Sequence, residues 1–332
     1  MEDLKKELFL FGKDILIAFI IIGIILSALF TYSGRWPPMV VIESSSMSHS
    51  EESQIGLIDT GDIVIVRTSD RDDIVTYLEG RADGYSKYGQ YGDVIIYRPM
   101  GSISKTPIIH RPVMYLELNE SGRSFDIPAL GDLEYGEDWA CNLGEHYRSI
   151  NGTVTIYDYG FREAQVRINL GQLILSGYNH SGYITMGDNN VSPQSGGHYD
   201  QGYGICPAPI KDEWVEGKAR GELPWFGIMK LAYMDKTREV PSNSWNNLAI
   251  SLVLIVGVPL GVDVAYEYFF GEEEEKEEGE EEKSGKDQPV KKKKRIKKKK
   301  ISVEPDEEKI DRADQNKEEV RTENIEEGEE TE

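Results

Sequence analysis

Apolar residues are concentrated in two runs that lie on either side of a mixed central region. The first run, residues 15–32, carries no charge and has about the length that a helix needs to cross a hydrocarbon core of about 30 Å. No small-x-small cleavage site follows it, so it predicts an uncleaved membrane anchor rather than a signal peptide. The second run, residues 247–270, contains Pro259 and is predicted to be a second membrane helix, with a buried core helix as the alternative.

The central region, residues 33–246, has the pattern of strands. Short β-branched and aromatic segments are bounded there by Gly, Asp and Pro, and no long helical periodicity interrupts them. The segments are Val40–Ile42, Asp62–Val66, Asp93–Tyr97, Val113–Leu116, Val154–Tyr157 and Gly182–Met186. The pattern predicts an all-β or mainly β domain.

The orientation of the chain follows from the basic residues that flank the first apolar run. Lys5, Lys6 and Lys13 precede the run, whereas Arg35 alone follows it closely. Basic residues favour the cytoplasmic side of a membrane helix. The pattern therefore predicts a cytoplasmic N-terminus at 1–14, an extracytoplasmic domain at 33–246 and a cytoplasmic tail.

The tail, residues 271–332, is rich in charge and lacks aromatic residues, which predicts disorder. Its polybasic block, Lys291–Lys300, has two interpretations. It contacts anionic lipid or another cytoplasmic partner, or it is simply a solvated run of charge.

Composition limits the classes of function and of site. The net charge of −22 argues against nucleic-acid binding, because phosphate contacts need a basic face. The spacing of the five histidines matches no metal-binding motif, so no metal site is predicted. Cys141 and Cys206 are too few for a disulfide framework, and sequence leaves open whether they pair.

A serine-rich segment is the first candidate for chemistry. Ser44, Ser45 and Ser46 follow a predicted strand and lie about a dozen residues beyond the first apolar run, so near the membrane surface. A serine becomes a nucleophile only with a base in hydrogen-bond reach and a third group that orients the base. Taken alone, such a segment is typical of a solvated turn.

Further blocks, in the same order along the chain, change that interpretation. Together with the serines, they resemble type I signal peptidases of the archaeal and endoplasmic-reticulum branch. The blocks are Ser44–Met47, Thr60–Val66, Gly92–Tyr97, Ile108–Arg111, Met186–Asn190, Gly217–Gly221 and Leu223–Gly227. The resemblance implies a signal-peptidase-like β-sheet catalytic domain that lies against the membrane, anchored by the N-terminal and C-terminal helices.

The resemblance also implies roles for individual residues. Ser46 would be the nucleophile and His110 the general base, where bacterial relatives use lysine. Asp188 and Asp200 match the acidic positions; Asp200 is favoured as the group that orients His110, but sequence does not rank the two firmly. The Ser46 N–H, with the Ser44 hydroxyl, would form the oxyanion hole. The substrates would be preproteins with small residues at positions −1 and −3, and no metal or organic cofactor is implied.

The chain departs from the family pattern at several places. Ser45 replaces a glycine, and Ser48 and His49 replace a Glu-Pro pair. Residues 192–197 lengthen the segment before Asp200, and residues 119–178 form a long insert with no assigned role, which we interpret as a surface subdomain.

Alternatives therefore remain for the base and for the function. His49 and His198 are alternative bases. A Ser-Lys protease of related fold is a rival, but the base block contains no lysine. A non-catalytic, membrane-tethered adaptor with a degenerate fold is the second rival.

Overall fold

The computed structural model of the chain describes residues 2–194 and 196–284. It divides into two compact units, Met1–Asp263 and Val264–Glu332. Within the second unit, only the part of a helix that ends at Ser284 is described.

Strands make up most of the regular structure between two long helices. The helices are α1 (Glu2–Ser33), α2 (Tyr77–Asp83), α3 (Leu170–Leu175), α4 (Ile228–Tyr233) and α5 (Ser242–Ser284). The strands are β1 (Met39–Val41), β2 (Ile63–Arg67), β3 (Ser86–Lys87), β4 (Gln90–Tyr91), β5 (Ile95–Tyr97), β6 (Ile108–Leu118), β7 (Phe125–Asp126), β8 (Trp139–Cys141), β9 (Thr153–Tyr159), β10 (Ala164–Asn169), β11 (Gly182–Met186), β12 (Val191–Ser192), β13 (Gly196–Gly197) and β14 (Val215–Leu223). Short 3-10 helices lie at Arg71–Asp73, Pro99–Gly101, Pro128–Asp132, Asp188–Asn190 and Asp212–Trp214.

A seven-stranded antiparallel sheet organises the domain. Its order is β1-β2-β14-β5-β6-β11, and β7 pairs with β6. On β2, Val64 and Val66 are buried and alternate with less buried neighbours, as a strand with one face on a core requires. These two side chains pack with Ile42, Met47 and Ile58 in one hydrophobic cluster. The cluster holds β1 and the segment after it against the sheet.

The predicted insert, residues 119–178, contributes a second sheet of β8, β9 and β10. Every second residue of β10 is buried, and its side chains Val166 and Ile168 join Val113 and Met114 of the main sheet in one core. In the described part of the chain, the insert therefore shares one hydrophobic core with the main sheet. The alternation of its strands favours burial against the neighbouring sheet.

Capping explains one short helix that packs beneath β6. Thr76 accepts the Glu79 N–H while the Glu79 side chain accepts the Thr76 N–H, which satisfies two free donors of α2. Gly84 ends the helix in the left-handed conformation at φ +76°. The periodicity of α2, α3 and α4 is too short to stand out in sequence, so a mixed, strand-rich domain replaces the all-β alternative.

The two apolar runs both form helices that are long and apolar enough to span a membrane. The stretches are Phe9–Ser33, with mean hydropathy 2.7, and Ser242–Tyr266, with mean hydropathy 2.3. Only 0% and 6% of their most apolar windows are buried, unlike a core helix. The prediction of a strand-rich domain between two apolar helices is confirmed at this level.

The second long helix corrects one boundary. We expected disorder from Gly271 onwards, but α5 continues to Ser284. Glu and Lys, which dominate this stretch, are good helix formers and extend a helix that the apolar run has already nucleated. The rest of the predicted tail, including the polybasic block Lys291–Lys300, lies outside the described residues.

Candidate active site

Three side chains from distant parts of the sequence form a hydrogen-bonded chain in the centre of the domain. The Ser46 Oγ lies 3.0 Å from His110 Nε2. On the other side of the ring, His110 Nδ1 lies 2.9 and 2.8 Å from the two carboxylate oxygens of Asp200. A carboxylate only accepts hydrogen bonds, so Nδ1 carries the proton and Nε2 faces the serine as the acceptor. This is the geometry of a nucleophile, a base and an orienting acid.

Local structure explains how each group reaches this position. Ser46 lies in the turn after β1, and the next residue, Met47, is buried at 1% exposure and anchors the turn in the core. His110 lies opposite Ile95 in the pairing of β6 with β5. Asp200 follows the hairpin of β12 and β13, and its N–H donates to the Thr185 carbonyl at 2.9 Å.

The Asp200 carboxylate is fully buried and is held by neutral donors. The hydroxyls of Tyr97 and Thr185 both donate to Asp200 Oδ2 at 2.6 Å. Burial, and after it the charge of Asp200, raises the pKa of Tyr97, so this phenol keeps its proton. Within the described residues, His110 is the one ion-pair partner of Asp200. The acid is thus free to stabilise a positive charge that develops on His110.

Asp188 has different partners. It accepts hydrogen bonds from Arg111 Nε at 2.8 Å and Arg111 Nη2 at 2.7 Å, and it lies 3.0 Å from His49 Nε2. Burial alone would raise the pKa of Asp188, but the charge and hydrogen bonds of Arg111 outweigh it and hold the pKa below its usual value. The structure therefore brings Asp200, and not Asp188, into contact with His110.

The loop that carries Ser46 is tied to the loop that carries Asp188. Asn189 donates its N–H to the Ser46 carbonyl and its side-chain amide to the Ser45 carbonyl, both at 2.9 Å. Between the loops, Gly187 leaves no room for a side chain: a Cβ there would lie 2.5 Å from the Ser46 carbonyl oxygen and 2.9 Å from His110 Nε2. This glycine is required by close approach rather than by its backbone angles.

Two donors near Ser46 are available for an oxyanion. The hydrogen bonds in the described part of the chain leave the Ser46 N–H without an acceptor, and the Ser44 Oγ lies 3.3 Å from the Ser46 Oγ. Ser45 does not have a positive φ, so its β-carbon causes no backbone strain at this position, where the family that the sequence resembles has glycine. Its N–H and hydroxyl both donate to Glu239, at 2.9 and 3.1 Å.

A cleft of about 880 Å³ leads to Ser46 and His110. Its walls are mainly apolar and come from β1, which is the edge strand of the main sheet, and from the start of β6. At the Ser44 end, Lys236 and Lys230 bond to Glu43, and the hydrogen bond from Lys236 lowers the Glu43 pKa. Elsewhere the cleft is lined by Arg35 and Arg98, which both pair with Glu216.

The alternative bases His49 and His198 contact groups other than Ser46. His198 stacks on Tyr203, with 4.0 Å between ring centroids, and His49 bonds to Asp188 as described. The lengthened segment before Asp200 forms the hairpin of β12 and β13, in which Val191 pairs with Gly197. The extra residues are thus accommodated without displacing Asp200 from His110.

Sequence reasoning missed several side chains that support the site. Tyr97 and Thr185 lie within predicted strands, but nothing in the sequence showed that they face Asp200. Phe161 and Arg162 come from the insert: Phe161 stacks on His49, and Arg162 donates to Asn189 and Val191. These contacts join residues that are more than 25 positions apart in the chain, so no local sequence pattern indicates them.

The two cysteines do not form a disulfide. Cys141 and Cys206 are both buried and unpaired, and they belong to different hydrophobic clusters. Among the described residues, no group of three or more His, Cys, Asp and Glu side chains is arranged to hold a metal ion.

No match to the chain is found among known protein families or among curated proteins.

Proposed function

We propose that this protein is a membrane-anchored serine endopeptidase of the type I signal peptidase kind, in the archaeal and endoplasmic-reticulum branch. The observation that carries the proposal is the continuous hydrogen-bonded chain from Ser46 through His110 to the buried Asp200. The ordered sequence blocks support the same family, because three of them supply Ser46, His110 and Asp188.

The geometry supports acyl transfer through an acyl-enzyme. Ser46 Oγ attacks the scissile carbonyl carbon while its proton passes to His110 Nε2. Asp200 stabilises the resulting imidazolium through Nδ1–H, and the Ser46 N–H and Ser44 hydroxyl donate to the oxyanion. His110 then protonates the leaving amine, and water releases the acyl group by the reverse sequence.

The cleft and the apolar helices suggest how a substrate would bind. An extended segment would pair with the free edge of β1 through backbone hydrogen bonds, with the apolar walls of the cleft around small side chains at −1 and −3. Preproteins whose apolar signal segment is still in the bilayer would reach this cleft from the lipid side. In this proposal residues 33–246 lie outside the cytoplasm and both termini lie inside.

The test is cleavage of a model preprotein with Ala at −1 and −3 by the full chain in membranes. We expect Ser46→Ala and His110→Ala to lower the cleavage rate about 10³-fold or more. Matched controls are Ser50→Ala in the same loop and His146→Ala, both at exposed positions, which should retain activity. If the wild type does not cleave, the non-catalytic adaptor replaces the enzyme. If Ser46→Ala cleaves normally, Ser46 is not the nucleophile and the proposed Ser–His mechanism fails.

A further inference from the structure

His49 lies three residues after Ser46, where the resembled family has no histidine, and the proposed reaction does not use it. Its ring stacks on Phe161 with 4.4 Å between centroids and an interplanar angle of 18°. Its side chain is 11% exposed. A histidine that is packed and oriented in this way has a fixed ring position, which a solvated turn residue would not have.

The ring connects the nucleophile loop to the strand that carries the base. His49 Nε2 donates to Asp188, since a carboxylate only accepts. Asp188 also accepts two hydrogen bonds from Arg111, the residue after His110 on β6. A continuous bridge therefore runs from His49 through Asp188 to Arg111, beside the contact between Ser46 and His110.

The insert holds the same bridge from the other side. Phe161 covers the His49 ring, and the neighbouring Arg162 donates to the carbonyl and side-chain oxygens of Asn189 at 3.0 and 2.7 Å. Asn189 in turn donates to the carbonyls of Ser45 and Ser46. The turn that carries Ser46 is thus hydrogen-bonded, through Ser45 and Ser46 at one end and His49 at the other, to the loop that carries Asp188 and Asn189.

We propose that His49 is a positioning residue that sets the distance between the Ser46 hydroxyl and the His110 ring. The inference rests on the proposed function, because it assigns His49 a part in that reaction without contact with the substrate. A hydrogen-bonded tether three residues from the nucleophile restricts the turn, and a displacement of about 1 Å in a reacting group can cost about 10²-fold in rate.

Two substitutions separate the hydrogen bond from the packing. His49→Phe keeps an aromatic ring on Phe161 but loses the donor to Asp188. His49→Gln loses the ring but places an amide N–H at about the reach of Nε2. His198→Phe is the matched control, because His198 also stacks on an aromatic ring, that of Tyr203, but does not contact Asp188. All three are assayed as full chains with the model preprotein, together with Ser46→Ala.

We expect kcat of His49→Phe to fall about 10- to 100-fold with KM within about twofold, since the tether acts on the reacting groups and not on the substrate. His49→Gln should retain kcat within about threefold of wild type, and His198→Phe should match wild type. If His49→Phe does not fold, as judged by thermal unfolding, His49→Met serves as the variant without a donor.

Other outcomes overturn the inference in distinguishable ways. Normal kcat in His49→Phe, equal losses in the Phe and Gln variants, or a rise in KM alone would each remove the positioning role, while loss of activity in Ser46→Ala would leave the proposed function standing. Normal cleavage by Ser46→Ala would instead overturn the proposed function, and the inference with it.

Discussion

The site contains two histidine–aspartate pairs, His110 with Asp200 and His49 with Asp188, and their surroundings differ in one respect. Asp200 is held by the hydroxyls of Tyr97 and Thr185, which are neutral. Asp188 is held by the guanidinium of Arg111, which is charged. A carboxylate whose charge is already neutralised by arginine adds little stabilisation to a positive charge on a histidine. A carboxylate that accepts hydrogen bonds from neutral donors keeps its full negative charge for that purpose. In the proposed function, Asp200 therefore orients His110, whereas Asp188 stabilises the surrounding structure.

Replacement of the orienting acid should have the largest effect on rate. Asp200→Asn is nearly isosteric but cannot stabilise an imidazolium, and it favours the tautomer in which Nδ1 is the acceptor. By the behaviour of comparable triads, we expect kcat to fall about 10⁴-fold, measured by cleavage of the model preprotein. Thermal unfolding of the same variant is the control, and it should change little. A loss of less than about tenfold would contradict the role given to Asp200.

Replacement of the other aspartate should act mainly on stability. Asp188→Asn leaves the buried Arg111 without its counter-charge, and breaking a buried ion pair in this way costs about 3–5 kcal/mol. Thermal or denaturant unfolding of the purified chain measures this loss. The double variant Asp188→Asn with Arg111→Met is the matched control and should recover part of the stability, because no unpaired charge remains. Stability equal to wild type in the single variant would show that the pair is not structural.

Asp62 is a further buried carboxylate, and its contacts in the described part are N–H groups rather than a cation. Burial raises the pKa of Asp62 to about 7, although hydrogen bonds from the N–H groups of Trp225 and Asp59 oppose the rise. Between about pH 4 and pH 7 the folded protein therefore holds a proton that the unfolded chain has lost.

The free energy of unfolding that Asp62 contributes therefore falls as the pH rises. The contribution of Asp62 favours the folded state at the lower end of this window and is lost as the pH rises through about 7. The full change is at most about 4 kcal/mol, from a shift of about three pKa units at about 1.4 kcal/mol each. Unfolding free energies at pH 5 and pH 8 measure about two of these three units, or about 3 kcal/mol, and Asp62→Asn should flatten the difference. An unchanged difference in that variant would assign the pH dependence to other groups.

The positions of Ser46 and His110 could be proposed from sequence because their blocks, in order with the others, resemble a known family; the serine segment alone is typical of a solvated turn. The choice between Asp188 and Asp200 could not be settled in that way. Adjacent residues on a strand point to opposite faces, so His110 and Arg111 on β6 face different carboxylates. Which carboxylate lies on which face depends on the pairing of β6 with β11 and on the hairpin after it.

The insert gives a second example of this limit. Its alternating strands were predictable in part, as at Val154–Tyr157, but its place in the core was not. Phe161 and Arg162 reach the site only because β9 and β10 pack against the main sheet. The hydrophobic periodicity of a segment is a local property, so it does not indicate contacts between residues that lie far apart along the chain.

By itself, the amino-acid sequence determined where the chain is apolar, where it alternates and where its charge lies, because hydropathy and strand periodicity are local properties. From these come the two apolar helices and the strand-rich region between them. Which acid contacts His110, which groups hold His49, and how the insert contacts the site all depend on the tertiary structure. Those outcomes depend on hydrogen bonds and packing between distant segments, whose free energy exists only once the sheets have assembled.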